Sequence, residues 1–270
     1  MNDQLHVACL QINSSDSMTQ NLELVSELIR QASEAGASLM LLPENFAWMG
    51  SKGASFNTTD CSVATYFLSE CAKKQQTWIV AGSMPWPATN SDPRLYNRSM
   101  VIDPTGKICE SYDKLHLFEA ILEHEQWREA DRMQAGSSPA MVALDDTWKV
   151  GLSICYDLRF PELYRHYSAH GCNILTVPSA FTVPTGQAHW EVLLRARAIE
   201  NQCYLLAAGQ VGEHADGRQT YGHSMIIDPW GTILSELPEG EGFIQATLSL
   251  SNVQAVRKKI PALQHRRGDL

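Results

Sequence analysis

The sequence predicts an α/β protein, a four-layer αββα sandwich of two similar halves, with residues 1–270 forming a single domain. Three observations point there. Apolar strands alternate with amphipathic helices along the chain. Several strands are apolar at nearly every position, as strands covered on both faces are. Two blocks of sequence also recur, in the same order, in the second half.

The run Leu5–Ile12 reads as the first strand. Ser14, Ser15, Asp16 and Ser17 then offer helix caps, and Leu22, Val25, Leu28, Ile29 and Ala32 follow at helical spacing. Gly36 suits the residue just past the helix end. Ala37–Leu42, apolar apart from Ser38, is a strand closed by Pro43. Ala64–Lys74 reads as a helix and Trp78–Gly82 as a strand. Ser99–Ile102 is a strand stopped by the turn Asp103-Pro104-Thr105-Gly106. Trp148–Tyr156 is a strand leading into a helix over Phe160–His170. Asn173–Val177, closed by Pro178, is a strand, and His189–Asn201 is a helix. Tyr204–Ala208 and Ser224–Ile227 are strands, the latter stopped by Asp228-Pro229-Trp230-Gly231. The stretches 45–55, 120–140 and 182–187 read as loops that shape a site.

The repeat is quantitative. Gly36, Pro43 and Phe46 recur at Gly171, Pro178 and Phe181, a constant separation of 135 positions. Ser99, Pro104 and Gly106 recur at Ser224, Pro229 and Gly231, a constant separation of 125. Two blocks in one order argue for two halves about a pseudo-twofold axis. Each half is expected to supply a sheet, the two sheets packing face to face with helices outside.

Composition excludes several functions. The chain carries 21 basic and 30 acidic residues, and its longest basic runs are Arg257-Lys258-Lys259 and Arg266-Arg267. A nucleic-acid partner is therefore not expected. The opening residues Met1–Ile12 do not read as a signal peptide, and no apolar run reaches membrane-spanning length, so neither secretion nor a membrane span is expected. The seven cysteines lack any CxxC pair. That pattern suits free thiols in a reducing, cytoplasmic setting and argues against structural zinc.

Ligands bind at strand ends in α/β folds, so reactive residues just after strands matter most. Glu44 follows the strand before Pro43. Burial there raises a carboxyl toward the range of a general base; the alternative is a surface loop Glu. Lys114 lies before a largely apolar stretch, Leu115-His116-Leu117-Phe118. A half-buried ammonium steadies an oxyanion; the alternative is a salt bridge to Asp113 or Glu119. Cys155 ends a strand before a helix, where the helix dipole favours a thiolate; the alternative is a structural thiol.

Leu41–Phe46, Tyr112–Phe118 and Gly151–Glu162 together resemble, in order, the three signature blocks of the nitrilase (carbon–nitrogen hydrolase) superfamily. The resemblance covers essentially the whole chain. It implies the αββα fold and a Glu–Lys–Cys triad on Glu44, Lys114 and Cys155. A second active-site glutamate falls on Glu129, with Glu123 and Glu125 as nearby alternatives. It implies an oxyanion held by Lys114 and the Tyr156 backbone N–H, a thioester intermediate, and no metal or organic cofactor. The run Cys155-Tyr156-Asp157-Leu158-Arg159-Phe160-Pro161-Glu162 resembles Nit-type amidases, such as ω-amidase and deaminated-glutathione amidase.

A small ω-amide of a keto or dicarboxylic acid, or a deaminated peptide-like amide, is the implied substrate. Carbamoyl amidases and true nitrilases are the alternatives within the superfamily. Arg159 is a candidate carboxylate clamp, or else an ion-pair partner of Glu162. His116, His189 and Trp190 stand near the pocket or in its supporting core. A papain-type Cys–His enzyme and a catalytically silent binding protein are the rival classes. Family analogy implies a homo-oligomer, associating through the helix after Cys155 and the tail from Val253.

Overall fold

A computed structural model describes residues 3–50, 57–88, 92–122 and 125–267. The first half runs β1 (Gln4–Gln11), α1 (Met18–Glu34), β2 (Leu39–Leu41), α2 (Thr58–Gln75), β3 (Trp78–Val80), β4 (Met84–Trp86), β5 (Leu95–Ile102) and β6 (Ile108–Asp113). A hairpin, β7 (Glu119–Leu122) and β8 (Glu125–Arg128), and the short β9 (Met133–Gln134) follow. The second half runs β10 (Met141–Ala143), β11 (Lys149–Gly151), α3 (Pro161–Ala169), β12 (Ile174–Ser179), α4 (Val183–Asn201) and β13 (Tyr204–Gly209). It ends with the hairpin β14 (Val211–Glu213) and β15 (Gln219–Tyr221), then β16 (Ser224–Ile227), β17 (Ile233–Leu237), β18 (Gly242–Ser249) and α5 (Leu250–Lys259).

Local chemistry explains the helix ends. Ser17 caps α1 by accepting from the Gln20 N–H. Asn57 and Asp60 form a reciprocal capping box on α2. Gly36 and Gly171 both take φ near +90°, at 95° and 84°, just past α1 and α3. The recurrence of that glycine therefore marks two equivalent helix exits.

The two large sheets share one pairing scheme. One runs β18-β1-β2-β3-β5, with β6 and the short β4 and β9 also paired to β5. The other runs β10-β11-β12-β13-β16-β17. In each, three central strands are parallel: β1-β2-β3 and β11-β12-β13. Each is flanked by antiparallel neighbours. Even the irregularity repeats, between Val101 and Ile102 opposite β6 and between Ile226 and Ile227 opposite β17.

One expectation needs correcting. The halves do not each supply a complete sheet. β18, from the end of the chain, pairs with β1 at the edge of the first sheet, where the second sheet uses its own β10. The chain thus returns to close its first sheet, because β1 would otherwise present an unpaired edge.

Burial follows the strand period. On β1, Val7 and Cys9 enter the core between the sheets, whereas Ala8 and Leu10 enter the core beneath α1 and α2. Leu22, Val25, Leu28, Ile29 and Ala32 of α1 fill that second core, with Ala64, Leu68 and Ala72 of α2. The inter-sheet core continues under α3 and α4 through Leu163, Tyr167, Trp190, Leu194 and Ala198.

Two other readings differ locally. The strand expected over Trp148–Tyr156 stops at Gly151, and a 3₁₀ turn over Cys155–Arg159 precedes α3. The presumed loop 182–187 is mostly the first turn of α4, which begins at Val183 with Pro184 at its start. Of the loop 45–55, residues 51–55 lie outside the described residues.

Gly82 places the strand ends. It follows β3 with φ +51°, and a Cβ there would lie 2.0 Å from the Pro43 carbonyl oxygen and 2.4 Å from that of Leu42. Both are backbone atoms of the turn that carries Glu44, so relief requires moving that turn. Gly82→Ala is expected to destabilise the fold by about 2 kcal/mol or more. Urea unfolding checks this; an unchanged midpoint would mean that the turn yields freely.

Candidate active site

Glu44 sits two residues after Leu42, whose N–H extends the sheet by donating to the Val80 carbonyl. The turn is held from several sides. Asn45 takes φ +58° and its N–H donates to Ser83 Oγ, and the Phe46 N–H donates to the Ser83 carbonyl. Gln210 Nε2 donates to the Glu44 carbonyl at 2.9 Å, and Ser14 Oγ donates to the Phe46 carbonyl. Pro43 thus ends the strand while elements of both halves fix what comes next.

Lys114 follows β6 and is 1% exposed. Its Nζ donates to Glu44 Oε1 at 3.1 Å and to Glu129 Oε1 and Oε2 at 3.1 and 2.9 Å. Neither suggested surface partner takes it. Asp113 pairs with Arg98 at 2.7 Å, and Glu119 lies 3.8 Å from Arg128. Glu129 opens a 3₁₀ turn after the β7–β8 hairpin. Its Oε2 accepts the Phe118 N–H at 2.6 Å, and its own N–H donates to the Phe118 carbonyl. The hairpin therefore returns the chain to Lys114. Glu123 lies outside the described residues, and Glu125 is described only as backbone in β8.

Cys155 begins the 3₁₀ turn with φ +50°, a left-handed backbone for a non-glycine residue. Its side chain is hydrogen-bonded to Glu44, and the Ala180 N–H approaches the sulfur. The same Ala180 N–H donates to Glu44 Oε2 at 2.8 Å. The first sheet thus brings Glu44 and Lys114, and the second brings Cys155 and Ala180, to one place between the sheet ends.

Two electrostatic expectations are reversed. Burial alone pushes the Glu44 carboxyl up, but the Lys114 ammonium and hydrogen bonds from Cys155, Lys114 and Ala180 hold it below its ordinary value. Burial and then the Glu44 charge push the Cys155 thiol well above its ordinary value. The short 3₁₀ turn does not make it a thiolate. Burial pulls Lys114 down, but Glu129 and Glu44 outweigh it and hold the ammonium charged. The resting site is a neutral thiol beside a carboxylate–ammonium–carboxylate cluster.

Two residues to which the sequence reading assigns no role complete the frame. Asp157 is fully buried. Its Oδ2 accepts from Tyr112 Oη at 2.7 Å and the Ile154 N–H at 2.9 Å, and its Oδ1 accepts the His116 N–H at 3.0 Å and faces His116 Nδ1 at 2.7 Å. It ties the lysine block to the cysteine turn. Asn97 of β5 is buried, and its Nδ2 donates to Glu44 Oε1 at 2.8 Å and Glu129 Oε1 at 3.4 Å. Neither residue lies at the end of an apolar strand, so the search for groups following strands passes over both.

The outer wall is aromatic. Phe118 and Phe160 meet Tyr156 edge-on, and His116 stacks on Phe160 at 3.6 Å. Trp190 lies in the core, with Nε1 donating to the His223 carbonyl. Arg159 lies over the Tyr156 and Phe181 rings, each 5.6 Å from the centroid. Both of its terminal nitrogens are 3.4 Å from His189 Nδ1. No ion pair joins it to Glu162 or to another carboxylate among the described residues.

The cluster predicts a pH window. Glu44 has its carboxyl lowered on folding, so its contribution to stability is present above about 4.3, the unfolded value. That contribution is lost as pH falls through the folded value. Lys114 is raised, so its contribution is full below about 10.4 and lost at still higher pH. Lys114→Met is therefore expected to cost most stability between these limits and least at their acid side. Denaturant unfolding of both proteins across pH checks this; a pH-independent difference would contradict it.

Comparison with known proteins agrees with the geometry. Residues 6–258 match the carbon-nitrogen hydrolase family. A deaminated glutathione amidase from Synechocystis is 42% identical, over 96% of this chain and 97% of that protein. Saccharomyces cerevisiae Nit3, described as a member of branch 10 of the nitrilase superfamily, superposes with a TM-score of 0.84 at 29% identity, covering 96% of this chain and 95% of that one. An amidase from Nesterenkonia sp. AN1, with the acetamide moiety of fluoroacetamide on its active-site cysteine, also superposes with a TM-score of 0.84. Its identity is 25%, over 100% of this chain and 96% of that one.

Proposed function

The chain belongs to the carbon–nitrogen hydrolase family, and from that premise we propose that it hydrolyses a small linear amide through a thioester on Cys155. The substrate is an ω-amide of a keto or dicarboxylic acid, or an amide of the deaminated-glutathione kind. The observation that carries the reading is the buried meeting of Cys155, Glu44, Lys114 and Glu129 at the adjoining sheet ends.

Each step follows from the charges at rest. Glu44, held ionised beside Lys114, takes the Cys155 proton as the sulfur attacks the amide carbon. The negative charge leaves the carboxylate and appears on the carbonyl oxygen, where Lys114 and the Tyr156 N–H receive it. Glu44 then protonates the leaving nitrogen, which departs as ammonia or an amine. A water attacks the thioester, with Glu44 or Glu129 accepting its proton. The acid departs and the thiol is restored. A raised thiol suits this scheme, since deprotonation and attack occur together. These groups need no metal or organic cofactor.

Arg159 supports an acidic substrate. It offers a cation over an aromatic platform, with His189 rather than a carboxylate as its polar partner among the described residues. The Cys–His rival is less well supported, because His116 engages Asp157 and His189 engages Arg159. We further place the protein in a reducing cytoplasm, as one domain of a homo-oligomer associating through α3 and the tail from Val253. Among the described residues no helix is long and apolar enough to cross a membrane.

Cys155→Ala is expected to abolish turnover on ω-amides, and Glu44→Gln or Lys114→Ala to lower kcat by about 1,000-fold or more. Arg159→Ala is expected to raise KM for acidic amides while sparing neutral ones. Ammonia and amine release across amides, ureido acids and nitriles is the measurement. Full activity in Cys155→Ala, or release of carbon dioxide from ureido acids alone, would overturn the amidase reading.

A further inference from the structure

Glu44 Oε1 and Glu129 Oε1 share two donors. Lys114 Nζ reaches both at 3.1 Å, and Asn97 Nδ2 reaches them at 2.8 and 3.4 Å. The four groups close a ring of alternating acceptors and donors. Asn97 is held rigidly in it, because its backbone carbonyl accepts the Lys114 N–H at 2.9 Å. One β5–β6 backbone contact therefore sets the spacing of the amide and the ammonium.

The other end of the amide is telling. Among the described residues, Asn97 Oδ1 is buried without a hydrogen-bond partner, which is a costly state for a carbonyl. Rotating the amide by 180° would aim that oxygen at two carboxylates. The donor end is thus required by the charges it faces, and the orphan oxygen is the consequence.

We infer that Asn97 is a positioning residue for the hydrolytic reaction, holding the two carboxylates aligned and donating to Glu44 without adding a second cation. This rests on the hydrolase reading above. The charge count explains the choice of residue. Glu44, Glu129 and Lys114 carry a net charge of one negative. A second Lys or Arg at position 97 would neutralise the site and weaken Glu44 as a proton acceptor. An apolar residue would leave Glu44 Oε1 and Glu129 Oε1 with Lys114 as their shared donor. An amide donates and changes no charge. When Glu44 takes the thiol proton, Asn97 can remain on Glu129, so Lys114 is released from full duty toward the carboxylates and turns to the oxyanion.

The charged and titratable groups facing Asn97 are Glu44 from the turn after β2, Lys114 from the end of β6 and Glu129 from the 3₁₀ turn, with Cys155 beyond Glu44. Its chain neighbour Arg98 is engaged by Asp113.

The test is the pH dependence of kcat/KM on an ω-amide for the full chain, with Cys155→Ala as reference. Asn97→Leu is expected to lower kcat about tenfold or more. Its acid limb should move up by about one pH unit, as when an ionised carboxylate loses a donor. Asn97→Asp is expected to retain activity at low pH, where the new carboxyl is protonated and can donate. It should lose that activity as pH rises and a third negative charge appears. An acid limb unchanged in Asn97→Leu, or a loss independent of pH in Asn97→Asp, overturns the inference. If Asn97→Leu does not unfold cooperatively, Asn97→Asp decides alone. Full turnover by Cys155→Ala would instead sink the hydrolase reading itself.

Discussion

A fully buried ammonium held between two carboxylates organises this molecule. Lys114 has almost no contact with solvent, and Glu44 is only 4% exposed. Ions so placed must be compensated by geometry, since water cannot do it. The surrounding structure supplies that geometry. Glu44 also receives an amide donor from β5 and a backbone N–H from beyond β12. Glu129 receives a backbone N–H from Phe118. Removing Lys114 would leave Glu44 buried without a cation, and removing Glu44 would leave Lys114 with Glu129 alone, so these residues are bound to one another energetically before any substrate arrives.

The same economy governs the thiol. Burial above all, and then the Glu44 charge, keep the Cys155 proton on sulfur. In the proposed reaction, reactivity then comes from a proton acceptor in contact, not from a free thiolate. The backbone at Cys155 is correspondingly unusual, and Asp157 sustains it. That carboxylate accepts the Ile154 N–H just before the cysteine and the Tyr112 hydroxyl just before the lysine. One side chain therefore sets the distance between the two signature blocks.

The internal repeat explains both the symmetry and its breaking. Pro43 follows β2 and Pro178 stands one residue before the end of β12, the equivalent central strand. The turns after them meet, and there the halves diverge. Glu44 supplies a side-chain acceptor on one side, and Ala180 supplies a backbone donor on the other. Gln210 joins them, its N–H on the Ser179 carbonyl and its side chain on the Glu44 carbonyl. A pseudo-twofold arrangement would allow two sites, but the replacement of Glu by Ser at 179 leaves this acid on one turn alone.

The sequence by itself determined the layers, the strand order near each repeat and the blocks holding Glu44, Lys114 and Cys155. These are written in local patterns: runs of apolar residues, prolines and glycines at strand and helix ends, and constant separations of 135 and 125. The tertiary structure alone decided the pairing of β18 with β1, because an edge partner may come from any distance along the chain. It also decided that Glu44 is lowered against its burial, and that burial and the Glu44 charge together raise Cys155, since the burial and the charged partners of both come from residues far away in sequence. The role of Asn97, and that of Asp157 within the cysteine block, needed the fold for the same reason. The Asn97 amide reaches partners 32 and 53 positions away and Asp157 reaches Tyr112 across 45, and a hydrogen bond over such a span leaves no period to read.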